Sequence, residues 1–337
     1  MGDLDLPINI QLPSGSPSAH IPAFTQVSNC TGTKKALCVG INYRGMELEL
    51  QGCVNDANNI AEFLTHQFGF QMDNILKLTD DVSDPERLPT KANIISAMRW
   101  LVEGAKPDDS LFFHYSGHGG QTEDLEGDEI DGYDEGMTSF SSEITRQAYD
   151  FAFPFEMMHD LIVRPLPPGC RLTALFDCSH SGTTWVKPTL ICPYFPFKDR
   201  GKVKEPSRWV DVGQGLLDAG RSSMHGDVKG MFKGFGSMFK SETHLQKKAA
   251  RYAKKTRASP ADIVAWAGCK DFEKSGDVMD DGKSIGAMSY AFTEALRRQP
   301  RQSYQELLNN IRDLLHGKHD QKPQLTSSHP IVRTISY

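Results

Sequence analysis

Short apolar runs that alternate with helix-patterned stretches constrain this chain more than any other feature. "KKALCVGINY" holds an apolar run from Ala36 to Ile41 that ends in glycine and asparagine, as a buried strand does. "VNDANNIAEFLTHQF" follows, with Ile60, Phe63, Leu64 and Phe68 at helical spacing. "NILKLTD" reads as a second strand, and "TKANIISAMRWLVEGA" as a second helix with Thr90 as N-cap. "DSLFFHYSGHGG", "RLTALFDCSHSG" and "ADIVAWAGC" give three more strands. "GAMSYAFTEALRR" and "SYQELLNNIRDLLHG" give two more helices. The last has Ser303 as N-cap, Glu306 in the capping-box position and Gly317 as C-cap. Such alternation predicts an α/β fold: a central, mostly parallel sheet between helix layers, joined by right-handed crossovers.

The chain has 337 residues, enough for one large domain or one with a long insertion. A net charge of -6 argues against a general nucleic-acid binder. No apolar run reaches the roughly 18 residues that cross a bilayer, so no membrane partner is expected. The first 20 residues lack a basic n-region and an apolar h-region, which predicts no secretory signal. Seven cysteines are scattered without CxxC pairs, as expected of reduced thiols in the cytoplasm, with the nucleus as an alternative. Residues 1–33, rich in Pro, Ser and Gly, read as a flexible arm. Residues 184–258 carry 16 Lys and Arg against 6 acids, which predicts a basic, solvated insertion open to trypsin-like cleavage.

In a parallel sheet chemistry gathers outside the carboxyl ends of the strands. Two ends here are conspicuously polar, "HYSGHGG" and "DCSHSG". His118, framed by glycines, suits a proton acceptor at a strand tip; His114, inside the strand, suits the core; alternation turns His180 away from the site. A histidine at one tip facing a cysteine at the next is a thiol-peptidase constellation, since the imidazole activates the thiol and later protonates the leaving amine. The candidates for nucleophile are Cys178 and Ser179.

These blocks resemble the type I metacaspases of fungi, a caspase-like peptidase family. The similarity runs through "ALCVGINYRG", "LQGCVNDANNIAEFL", the long block ending "HYSGHGGQTEDLEGDEIDGYDE", "RLTALFDCSHSGT", "SPADIVAWAGCKD" and "GAMSYAFTEAL". It implies a caspase-like three-layer sandwich with a p20-like part over about 34–183, the basic linker 184–258, a p10-like part over about 259–325 and a tail from 326 to 337. It also implies a calcium-activated cysteine endopeptidase that cuts polypeptides after Arg or Lys and is linked to cell death and stress. His118 would be the dyad histidine, and Asp56, Ser116 and Asp177 the pocket for the basic P1 side chain. A monomer is expected.

The chain departs from that pattern. The family's catalytic cysteine falls at Ser179, and Cys178 stands one residue earlier. In an extended strand a one-residue offset turns the side chain to the opposite face, so Cys178 is expected to point into the fold. Asp134 survives at one calcium-ligand position. Phe155, Glu156 and Met157 replace an acidic turn, and Val186 or Lys187 stands where another Asp is expected. Calcium wants six to eight oxygens, so the ion is expected to be lost. Two readings follow: an impaired or inactive protease that retains its cleft as a binding or regulatory protein, or an active enzyme using Ser179 or Cys178 with His118. A serine hydrolase of the GxSxG type lacks its motif.

Overall fold

A computed structural model describes residues 27–46, 49–123, 133–139, 152–178, 197–199, 202–204, 259–268, 277–280, 283–316 and 323–328. Among these, six strands form the main sheet: β1 (Lys34–Gly40), β2 (Ile75–Thr79), β3 (Ser110–Ser116), β7 (Arg171–Asp177), β10 (Asp262–Ala267) and β13 (Gln324–Ser327). Their order is β13-β10-β7-β3-β1-β2, parallel throughout except for the antiparallel edge strand β13. The helices are α1 (Cys53–Phe68), α2 (Lys91–Val102), the short α3 (Phe155–Met158), α4 (Ala287–Arg298) and α5 (Tyr304–Leu315).

Period-two alternation sorts the strand residues onto two faces. Leu37, Val39, Phe113, Tyr115, Leu172, Ala174, Phe176 and Ile263 share one core with Ile94, Met98 and Leu101 of α2. Ala36, Cys38, Phe112, Leu175, Val264 and Trp266 share the other with α1, α4 and α5. The helix layers form because each apolar stripe can be buried only against the sheet.

Lys34 and Lys35, one on each face by the same alternation, tie the two layers to the start of β1. Lys34 Nζ donates to Phe68 O at the end of α1, 2.6 Å away, and Lys35 Nζ donates to Trp100 O near the end of α2. Each ammonium meets a carbonyl in the last turn of its helix, at the negative end of the dipole. Lys35 also lies over the Trp100 ring, 4.5 Å from its centroid. Lys34→Met or Lys35→Met keeps the aliphatic stem and is expected to cost about 0.5–1 kcal/mol of unfolding free energy in urea titrations.

The sequence reading of the strands and long helices matches the structure within a few residues. Thr90 caps α2 through Asn93 N, and Ser303 with Glu306 forms the capping box of α5. The Ser303 backbone N–H holds the Glu306 carboxyl below its ordinary range. The C-cap of α5 is His316, not the expected Gly317, which lies outside the described residues.

Other expectations differ. The first ordered contacts precede residue 34: Ser28 N donates to Asp262 Oδ2 and Thr33 N to Asp109 Oδ1. Asp262 in turn pairs with buried Arg171 at 2.6 Å. The sheet also runs past residue 325, because β13 is its edge strand. Three further pieces had no periodic signal: the antiparallel sheet of β4 (Gly119–Glu123), β5 (Tyr133–Thr138) and β6 (Ala152–Pro154), the hairpin β11 (Asp277–Asp280) with β12 (Lys283–Gly286), and a hairpin β8 (Phe197–Asp199) with β9 (Lys202–Lys204) inside the basic segment.

Candidate active site

The carboxyl ends of β3 and β7 meet the first turns of α1 and α4. Ser116 ends β3 and Asp177 ends β7, paired in register. Asp56 enters from the first turn of α1, on the same face. Asn42 sets the start of that helix, its side-chain oxygen accepting from Cys53 N and Val54 N. Asp80 in turn accepts from Asn42 N.

The three residues that the family resemblance implies as a pocket are brought together. Ser116 Oγ donates to Asp56 Oδ2 at 2.6 Å. Gly286 N donates to Asp56 Oδ1 and Ser289 N to Asp177 Oδ2, both at 2.8 Å. Gly286 sits between the two acids: a Cβ there would lie 2.2 Å from Asp177 Oδ2 and 2.7 Å from Asp56 Oδ2. Both carboxylates are almost fully buried, at 1% and 2% exposure. They also do structural work. Gly286 is the N-cap of α4 and has no side chain to cap it, so the acids accept the N–H groups at that helix end.

Asp56 and Ser289 also line a narrow crevice between α1 and α4, with Ile285, Tyr290 and Arg297. Below it, His114 is wholly buried, its Nε2 3.1 Å from Ser289 Oγ. Burial pushes its imidazole down to about 3, which keeps it neutral and fits a core residue rather than a proton carrier.

His118 stands just past β3 and is partly exposed. Its ring lies against Tyr43, with centroids 4.6 Å apart and planes tilted by 37°. Cys178 is on the opposite face from Asp56 and Asp177, at 0% exposure in the core that also holds Tyr43 and Tyr115, whose phenols its thiol neighbours. Ser179 and His180 lie outside the described residues, as do Val186 and Lys187. Asp134 is placed in β5 opposite Thr122, and its side chain lies outside what is described. Among the described residues no group of three or more His, Cys, Asp or Glu is arranged to hold a metal ion. The side chains on which the calcium expectation turns, those of Asp134, Phe155, Glu156, Val186 and Lys187, lie outside what is described, and no chemical step is assigned to the ion.

Sequence reading missed Gly286, Ser289, Tyr43 and Tyr115. Gly286 had a signal, a glycine directly before a helix-patterned stretch without Ser, Thr, Asp or Asn as cap. The partners of the two tyrosines come from separate strands, and nothing local announces them.

An α/β scaffold with a histidine and a carboxylate at adjoining strand tips, and a second carboxylate in the first turn of α1, has the architecture of a caspase-type peptidase. A family model for the metacaspase, peptidase C14 domain matches residues 34–188. Metacaspase-1 of Cryptococcus neoformans is 49% identical over 314 residues, covering 93% of this chain and 66% of that protein. Metacaspase-1 of Meyerozyma guilliermondii is 46% identical over 312 residues, covering 93% and 73%. The chain belongs to the metacaspase family. It spans about two thirds of the length of such relatives. A Geobacter sulfurreducens protein of known crystal structure shares the fold, with a TM-score of 0.52 and 20% identity over 88% of this chain and 93% of that one. Among the described residues no helix is long and apolar enough to cross a membrane.

Proposed function

We propose that this chain binds polypeptides by an Arg or Lys side chain held at Asp56, Ser116 and Asp177, and that it hydrolyses them slowly or not at all. The observation that carries the reading is the meeting of two buried carboxylates and a serine hydroxyl across Gly286. A guanidinium offers five N–H donors in a planar fork, and charge-assisted bonds to carboxylates are the strong ones.

In the peptidase reaction a thiolate attacks the carbonyl carbon of the P1 residue after His118 has taken its proton. The C–N bond breaks as the imidazolium gives that proton to the leaving nitrogen, and water then hydrolyses the thioester. A cysteine thiol titrates near 8.5 and is readily made a thiolate beside a histidine. Ser179 offers an alcohol, far less acidic, and such an alcohol ordinarily needs a third group orienting its base. The full burial of Cys178 supports the reading in which it takes no part.

Calorimetry on the full chain tests the pocket. A short peptide amide ending in Arg is expected to bind about tenfold to hundredfold more tightly than the same peptide ending in citrulline, a charge-assisted bond being worth about 1.5–3 kcal/mol. Equal affinities would overturn the reading.

A further inference from the structure

We propose that Tyr43 and Tyr115 are positioning residues for His118: their two buried hydroxyls, shared with the backbone of Thr138, hold the His118 main chain from both sides, and the Tyr43 ring seats its imidazole. The inference rests on the reading of His118 as the proton acceptor, and no role in that reaction has so far fallen to either tyrosine.

The hydrogen bonds close on themselves. Tyr43 Oη lies 2.8 Å from Thr138 O, and Tyr115 Oη lies 2.7 Å from His118 O. If each phenol proton goes to its nearest carbonyl, both hydroxyl oxygens remain free to accept. Tyr43 Oη then accepts from His118 N at 3.1 Å, and Tyr115 Oη from Thr138 N at 3.2 Å. Thr138 N is also 3.1 Å from His118 O, and the two hydroxyls are 3.1 Å apart. The N–H and the carbonyl of His118 are thereby both taken.

The surroundings explain why such a clamp is useful. Gly117, Gly119 and Gly120 flank His118, so the local backbone has little stiffness of its own. Gly117 is also required sterically, since a Cβ there would lie 2.6 Å from Tyr115 Oη and 3.0 Å from Tyr43 Oη. Tyr43 itself holds φ at +54°, a left-handed conformation unusual for an aromatic residue and costly unless the surroundings fix it. The position places its ring under the imidazole. Burial pushes both phenols well above their ordinary ionisation range, so they serve as neutral donors and acceptors.

Both tyrosines also fill the core beside α2. Packing requires the rings but not the hydroxyls, so Phe replacements separate the two roles. The test uses the full chain carrying Ser179→Cys and follows alkylation of the introduced thiol by iodoacetamide, read by peptide mass spectrometry. This reaction needs a histidine-activated thiol and no peptide in the acidic cleft, so it is independent of the pocket. His118→Ala on the same background sets the unactivated rate. Tyr43→Phe and Tyr115→Phe are each expected to slow alkylation about tenfold, and together to approach the His118→Ala rate, as misplacement of a reacting group by about 1 Å does. The thermal midpoint should fall by a few degrees, since each change leaves backbone groups of His118 or Thr138 with one partner fewer, and the affinity for the Arg peptide should not move.

If His118→Ala slows the reaction while neither Phe variant does, the positioning role is wrong although the dyad reading stands. If His118→Ala has no effect, His118 is not the proton acceptor and the inference falls with that reading. The two Phe changes remove different bonds to His118, so either one decides the matter should the other fail to fold.

Discussion

Ser179→Cys in the full chain is expected to raise hydrolysis of an Arg-P1 peptide by at least about a thousandfold, because the change supplies the thiol that the peptidase reaction uses as nucleophile. In the proposed reading His118, the paired carboxylates and strand β7, which leads towards position 179, are all in place in the wild type. Attack by an alcohol asks His118 to remove a proton from a much weaker acid without a third residue to orient it, whereas a thiol gives up that proton near neutral pH. The gained activity should be lost with iodoacetamide and with His118→Ala. Cys178→Ala on the same background should leave it in place, since that side chain is sealed in the core beside α2. A Ser179→Cys protein that folds, binds the Arg peptide and still fails to cleave it would show that more than the nucleophile is missing.

Gly286→Ala is expected to abolish the preference for Arg over citrulline. Gly286 has φ -68°, a conformation that alanine adopts without strain, so the backbone is not what forbids the change. Space forbids it: the added methyl would meet Asp177 Oδ2 at 2.2 Å and Asp56 Oδ2 at 2.7 Å. Both atoms belong to nearly buried side chains that accept from Ser116 Oγ and Ser289 N, and neither can swing aside without breaking those bonds. Overpacking of this kind costs about 1–3 kcal/mol of stability, so the domain should melt earlier yet remain folded. Affinity for the Arg peptide should fall to that of the citrulline peptide. Retained discrimination in a folded Gly286→Ala protein would mean that the cation is held elsewhere.

Much of the scaffold is legible in the sequence because its elements are periodic. The runs around Ala36, Phe112 and Leu172 and the stripe Ile60, Phe63 and Leu64 announce strand and helix by local chemistry. The same alternation separates Asp177 from Cys178, and the structure puts them on opposite faces of β7. What escapes is made by partners distant in the chain. The Gly286 contacts join residues 230 positions apart. The edge strand β13 is a four-residue segment whose pairing with β10 no pattern within it specifies. Tyr43 and Tyr115 read as ordinary strand-end aromatics until Thr138 is brought between them. The arm reads as loose up to residue 33 because Ser28 and Thr33 find their acceptors on Asp262 and Asp109, far along the chain.

Incubating the unaltered full chain with a peptide that carries several residues beyond its Arg, and following both occupancy and bond cleavage, separates binding from turnover. The account predicts a saturable complex in which the peptide stays intact over many hours and iodoacetamide changes nothing. Rapid cleavage after Arg that iodoacetamide stops would contradict it, for it would place a working thiol in a site where the sequence offers an alcohol.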